Sequence, residues 1–254
     1  MKKAIVSIFA VISLLFLSSC ATTRKLSQSG SERVSLFGPH SKKGTTEKGT
    51  STGKSQSSQA AYREYPEKAL TPLQKKLVEG AYNLVGIKDR IVVRGRRFNF
   101  DCTGTVLAIY YYAGIDLSRD FSRYTGNGVL RLYKMLYNRK LIYLTNYPVP
   151  GDLIFWDNTY DRNGDGKWND YLTHVGMVVG VKSDGTIQYV HDHIRKGITI
   201  ERMNLLYPDV YVRKSNGKQI IVNAPMRMKV AGVRHPSKWL ASQLLRAFGK
   251  AYEY

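Results

Sequence analysis

Apolar residues fall into two kinds of pattern along this chain, and the change comes near its middle. In "TPLQKKLVEGAYNLVG", residues 71–86, Leu73, Leu77, Ala81 and Leu84 recur at helical spacing. Thr71 suits an N-cap, Pro72 the first helical position and Gly86 the stop, so the segment predicts a helix. A short strand, "IVVRG", follows. "CTGTVLAIYYYAG", from Cys102, is apolar almost throughout and predicts a buried helix ending at Gly114. A more polar helix is expected around 126–138. Beyond it the period shortens. "DLIFW", "HVGMVVGV", "TIQYVHDH" and "DVYVRK" are β-rich runs separated by turn residues. Helices first and an antiparallel sheet after them predict an α+β fold. The last stretch, "SKWLASQLLRAFGKAYEY", places Leu240, Leu244 and Phe248 four apart, so we expect a helix closing a basic extension over 214–254.

The amino-terminal quarter follows neither pattern. Met1, Lys2 and Lys3 precede the uncharged, largely apolar run "AIVSIFAVISLLFLSS". That is the layout of a secretory signal peptide over residues 1–19, too short for a stable membrane span. The run ends in "LSSC", which resembles the lipobox of bacterial lipoproteins. The resemblance implies cleavage before Cys20 and a lipid on its thiol, hence a membrane anchor and a cell-envelope location. Ala21 is not the Asp associated with inner-membrane retention, so an outer-membrane address stays open beside the outer leaflet of the cytoplasmic membrane. Residues 20–65 are poor in apolar side chains and rich in Ser, Thr, Gly and Lys, the composition of a flexible tether. Some 45 such residues would have a reach of about 35–40 Å. The expected folded domain then spans 66–213.

Charge narrows the partners. The 254-residue chain carries a formal net charge of +20, or +18 without Lys2 and Lys3. Such an excess favours anionic lipid, nucleic acid or acidic wall polymers. An export signal, and the lack of any nucleic-acid-binding motif, exclude nucleic acid. We expect a monomer.

Only two cysteines occur. With Cys20 lipidated, Cys102 has no disulfide partner, which leaves a buried small hydrophobe or a nucleophile. At the start of a helix, unsatisfied N–H groups and the helix dipole favour thiolate. The same N–H groups can serve an oxyanion. Arg94, Arg96 and Arg97 lie just upstream and would add to this if they fold nearby. A thiolate needs a base, usually histidine, held by a third polar group. Among five histidines, His40 falls in the tether and His235 in the basic tail. His174 opens one β-run, and His191 and His193 end the next, on one face by period two. The turn "KSDG" between them predicts a hairpin that brings His174 near the pair, in a register a bulge could shift.

"FDCTGTVLAIY", "VPGDLIFW", "THVGMVVGV" and "QYVHDH" resemble, in order and residue type, the NlpC-type cell-wall cysteine peptidases and the related CHAP amidases. The resemblance covers roughly residues 75–195 and implies a papain-like fold acting on peptidoglycan. Residue by residue, it makes Cys102 the nucleophile, His174 the base and His191 the third polar residue, with His193 the alternative third residue of a CHAP-like pattern. Asp152 matches a turn position. The tyrosine that usually precedes the nucleophile in such proteins is missing from "IKDRIVVRGRRFNF". The implied reaction is cleavage of an amide within the stem peptide or between lactyl group and peptide, with no cofactor needed for the chemistry. Two other classes stay open: a non-catalytic wall-binding lipoprotein, and an acyl-transferring enzyme with the same site.

A second motif lies between the β-runs. In "DRNGDGKWND", Asp161, Asn163, Asp165 and Asn169 occupy positions 1, 3, 5 and 9 of an EF-hand-like calcium loop, with Gly166 at position 6. Leu172 stands where the bidentate Glu belongs, so Asp157 or Asp170 would have to add charge. A structural calcium and an ion-free polar turn both fit.

Overall fold

The computed structural model describes residues 69–229 and 236–254. The signal, Cys20, the tether, and both His40 and His235 lie outside the described residues.

Three helices precede the sheet. Helix α1 runs over Pro72–Leu84 with the expected start: Thr71 Oγ1 accepts from Gln74 N–H, and the Gln74 side chain accepts from Thr71 N–H. Strands β1 (Ile91–Val93) and β2 (Arg96–Phe98) form a small hairpin ahead of α2 (Cys102–Tyr112). A 3₁₀ segment, Leu117–Arg123, leads to α3 (Gly128–Asn138).

The main sheet is wholly antiparallel and contains β3 (Ile142–Tyr143), β4 (Leu153–Trp156), β5 (His174–Val181), β6 (Thr186–His193), β7 (Gly197–Asn204) and, out of sequence order, β10 (Leu245–Gly249). Its order is β3-β10-β4-β5-β6-β7. β8 (Val212–Ser215) and β9 (Lys218–Ile221) pair separately. One face of the sheet packs on α1 and α2 through Leu77, Val106, Ile109, Phe155, Val175 and Met177. The other face buries Ile154, Trp156, Val178, Tyr189 and Phe248 in a second cluster with Ala241 and Leu244.

The expected C-terminal helix is a correction. Residues 245–249 are a strand hydrogen-bonded between β3 and β4, and 251–253 form one 3₁₀ turn. The four-residue spacing of Leu240, Leu244 and Phe248 fits a helix locally, but β4 needs a second neighbour. Inserting β10 there satisfies β4's ladder and buries Phe248 completely. The sheet therefore draws on residues well past 213, where the domain was expected to end. β7, absent from the sequence expectations, pairs along all of β6 and extends the sheet beyond the histidines.

Candidate active site

Cys102 is the first residue of α2, and the N-cap Asp101 accepts from Gly104 N–H through Oδ1 at 2.6 Å. Thr105 N–H already bonds Asp101 C=O. This leaves the N–H groups of Cys102 and Thr103 without intrahelical acceptors, as the first turn of any helix does. Gly104 has a separate reason for its identity. A Cβ there would lie 1.9 Å from the carbonyl oxygen of Asn99, so only glycine lets the helix start this close to the segment before it.

His174 opens β5, and β6 returns beside it. Met177 faces Val190 across the ladder, which sets His174 and His191 diagonally across the strands. Gly176 lies between them; a Cβ there would sit 2.7 Å from Val190 C=O and 3.3 Å from His191 Cβ. A register shift does occur in this hairpin, at Val178/Gly180, on the side away from the histidines.

The result is a short contact, His174 Nε2 to His191 Nδ1 at 2.9 Å. With Nε2 so engaged, Nδ1 is the ring nitrogen left for a thiol. Trp156 lies against the His174 ring and Tyr189 against His191, at centroid distances of 5.7 and 5.3 Å. His193 goes elsewhere: its Nδ1 accepts from Arg195 and Lys196 N–H at 3.1 and 3.3 Å and caps the β6–β7 turn. Of the two candidates for third residue, it is His191 that meets His174.

Cys102, His174 and His191 line one cleft of about 530 Å³. Its lining also includes Asp101 and Asp192, and Tyr160 from the β4–β5 connection. Residues 225–229 form a wall, held by Met226 and Arg227 N–H to Trp239 C=O and by Met228 N–H to Thr159 C=O.

Burial decides the resting protonation. It drives the Cys102 thiol up to about 11, against the Val175 backbone N–H that pulls it down, with the Asp101 charge adding to the rise. Against the helix end, which favours thiolate, desolvation thus favours the neutral thiol. Burial likewise holds His174 well below its usual range, helped by His191 and His193. Both shifts favour a neutral thiol beside a neutral imidazole.

None of the upstream arginines lines the cleft. Arg96 pairs with Asp116 at 2.7 Å, donates to Ser118, and stacks over Phe98 and Tyr111; Arg94 lies over Tyr112. Asp152 is structural as expected: it is fully buried and accepts from Tyr143 O–H and Val149 N–H. The cations lining the cleft are Arg195, Arg227 and Lys229.

In the 161–170 loop, Asp161 accepts from Gly164 and Gly166 N–H, and Asp165 from Lys167 N–H and the Asn169 amide. Asn163 bonds Asp165 N–H and Asn169. Asp157 is taken by Leu172 N–H and Arg246. Asp170 alone is buried with neither oxygen hydrogen-bonded. Among the described residues no three His, Cys, Asp or Glu side chains come together as metal ligands.

Residues 81–215, just over half of the chain, match the NlpC/P60 family. A crystal structure of an NlpC/P60 family protein from Bacillus cereus ATCC 10987 is 22% identical, over 52% of this chain and 35% of that one, at a TM-score of 0.31. This chain thus spans about a third of that protein's length. No curated protein matches the chain.

Proposed function

The chain belongs to the NlpC/P60 family, and from that premise we propose a cysteine hydrolase of the bacterial envelope that cuts amide bonds in peptidoglycan stem peptides. One observation carries the reading: the 2.9 Å His174–His191 contact opens on the same cleft as a cysteine at a helix start.

Cys102 Sγ attacks the amide carbon while its proton passes to His174 Nδ1. The carbonyl oxygen becomes an oxyanion facing the N–H groups of Cys102 and Thr103. His174 then protonates the leaving nitrogen, the C–N bond breaks, and a thioester remains. Water attacks the thioester, His174 takes its proton, and the C–S bond breaks to return the thiol. His191 holds the His174 ring throughout. The scissile bond is an endopeptidase's or an amidase's, and no cofactor enters any step. Lipid on Cys20 and the tether of 20–65 would hold this monomer at its membrane, within reach of the wall.

The test is to incubate full-length wild type and Cys102→Ala with purified peptidoglycan and identify released fragments by mass spectrometry. Fragments with wild type alone support the reading, and their masses name the bond. No fragments from a folded wild type, with wall binding retained, would replace it by a binding module.

A further inference from the structure

His191 is not the end of the chain of contacts. Its Nε2 lies 3.3 Å from Glu201 Oε2, and Glu201 Oε1 accepts from the Lys196 ammonium at 2.7 Å. Glu201 stands on β7, opposite Tyr189 in the ladder, with its side chain only 9% exposed. A carboxylate this deep is costly to bury, and both its oxygens are engaged.

We propose that Glu201 is a positioning residue that, acting through His191, sets which nitrogen of His174 is the base. The proposal rests on the Cys102/His174/His191 reading above and adds a fourth group to it.

The argument is one of donors and acceptors. An ionised carboxylate only accepts, so His191 Nε2 must carry a hydrogen. Neutral His191 then has its lone pair on Nδ1, and across 2.9 Å that nitrogen can only accept from His174 Nε2–H. With its hydrogen fixed on Nε2, neutral His174 keeps its lone pair on Nδ1, where the thiol proton must go. With His191 neutral, each assignment forces the next. Once the proton has moved, the imidazolium of His174 finds the Glu201 charge one ring away, and that charge favours its protonated form.

Glu201 is suited to stay ionised. Burial works to raise its carboxyl, but the hydrogen bond from His191 and the hydrogen bond and charge of Lys196 bring it down. Other titratable groups around His174 are Cys102 and Asp101 at the start of α2, His191, Asp192 and His193 on β6, and Tyr160 from the β4–β5 connection. Among the described residues, Glu201, and none of these, combines a negative charge with a hydrogen bond to His191.

The experiment uses the full chain and needs no substrate. Alkylation of Cys102 by iodoacetamide is followed against pH by mass spectrometry of the Cys102 peptide, for wild type, Glu201→Gln and Glu201→Ala, beside a thermal melt of each. Glu201→Gln keeps the shape and removes the charge. Its acid limb should move down by about one pH unit, with the plateau rate falling roughly 10- to 100-fold. A purely structural role would lower the melting temperature and leave the limb where it is. Histidine ¹⁵N spectra of Cys102→Ala give a second readout, in which the hydrogen should sit on Nε2 of both His174 and His191. A folded Glu201→Gln with limb and rate unchanged would overturn the proposal, as would a hydrogen on Nδ1 of His174. Neither readout depends on peptidoglycan, so failure to cut the wall would count against the hydrolase reading and leave this one standing.

Discussion

Gly104→Ala is the sharpest single perturbation of the nucleophile that removes no reacting group. The new Cβ would lie 1.9 Å from Asn99 O and 2.8 Å from Asn99 C, both backbone atoms. Comfortable contact needs about 3.5 Å, so one backbone must retreat by about 1.5 Å. The loser is either the first turn of α2 or the 98–101 segment, and Asp101 caps the helix from that segment at 2.6 Å. Overpacking costs typically 1–3 kcal/mol, and a clash with backbone belongs at the top, about 3 kcal/mol. At roughly 2–4 °C per kcal/mol for a domain of this size, Tm should fall by about 6–12 °C. A nucleophile displaced by about 1 Å should lose roughly 100-fold in rate. Gly114→Ala at the other end of the same helix is the control. Its Cβ meets nothing within 4 Å, and it carries only the strain of a φ of +96°, about 1–2 kcal/mol. It should melt a few degrees low and keep its rate. A Gly104→Ala protein that melts within 2 °C of wild type, with the Cys102 alkylation rate unchanged, would refute the reasoning.

Three further outcomes follow from the site. His191→Ala should lower kcat by roughly 10²-fold or more, while His193→Ala, which loses a turn cap but no hydrogen bond to His174, should stay within a few-fold; equal losses in steady-state assays would return His193 to the relay. Because His174 sits below its usual range, its neutral form persists below pH 6.5. The acid limb of kcat/KM should therefore lie below that value, and a limb centred above pH 6.5 would contradict the burial argument. Millimolar calcium should shift Tm by less than about 1 °C, since the loop's own amides occupy its carboxylates. A rise of several degrees would instead assign an ion to the loop, with Asp170 supplying the missing charge.

The nucleophile helix and the histidine hairpin were legible because each signal is local. A cysteine before a continuous apolar run, and two histidines at period two after a turn, need only a few residues to declare themselves. Choosing His191 over His193 needed the β5–β6 register, which the sequence does not carry. Glu201 was missed because its partner is ten residues away on another strand, and an acid in "GITIERMN" reads as a solvated side chain. Arg96 misled in the opposite way: close to Cys102 in sequence, it is held by Asp116 and Ser118. The C-terminal strand misread as helix shows a local pattern overruled by the sheet's need for a partner to β4. The opposing effect of burial on the thiol was not legible, because the helix end is visible in sequence and desolvation is not.

The central claim is that Cys102 carries the acyl group between the two halves of the reaction. The most direct measurement mixes the full-length protein with peptidoglycan stem peptide, quenches in acid within the first turnover, and weighs the intact chain and then its Cys102 peptide. The account predicts an added mass equal to the acyl half of the cut peptide, on Cys102 and nowhere else, longer-lived when His191 is replaced. Fragments released at full rate with Cys102 never acylated, or an acyl group found on another residue, would contradict it.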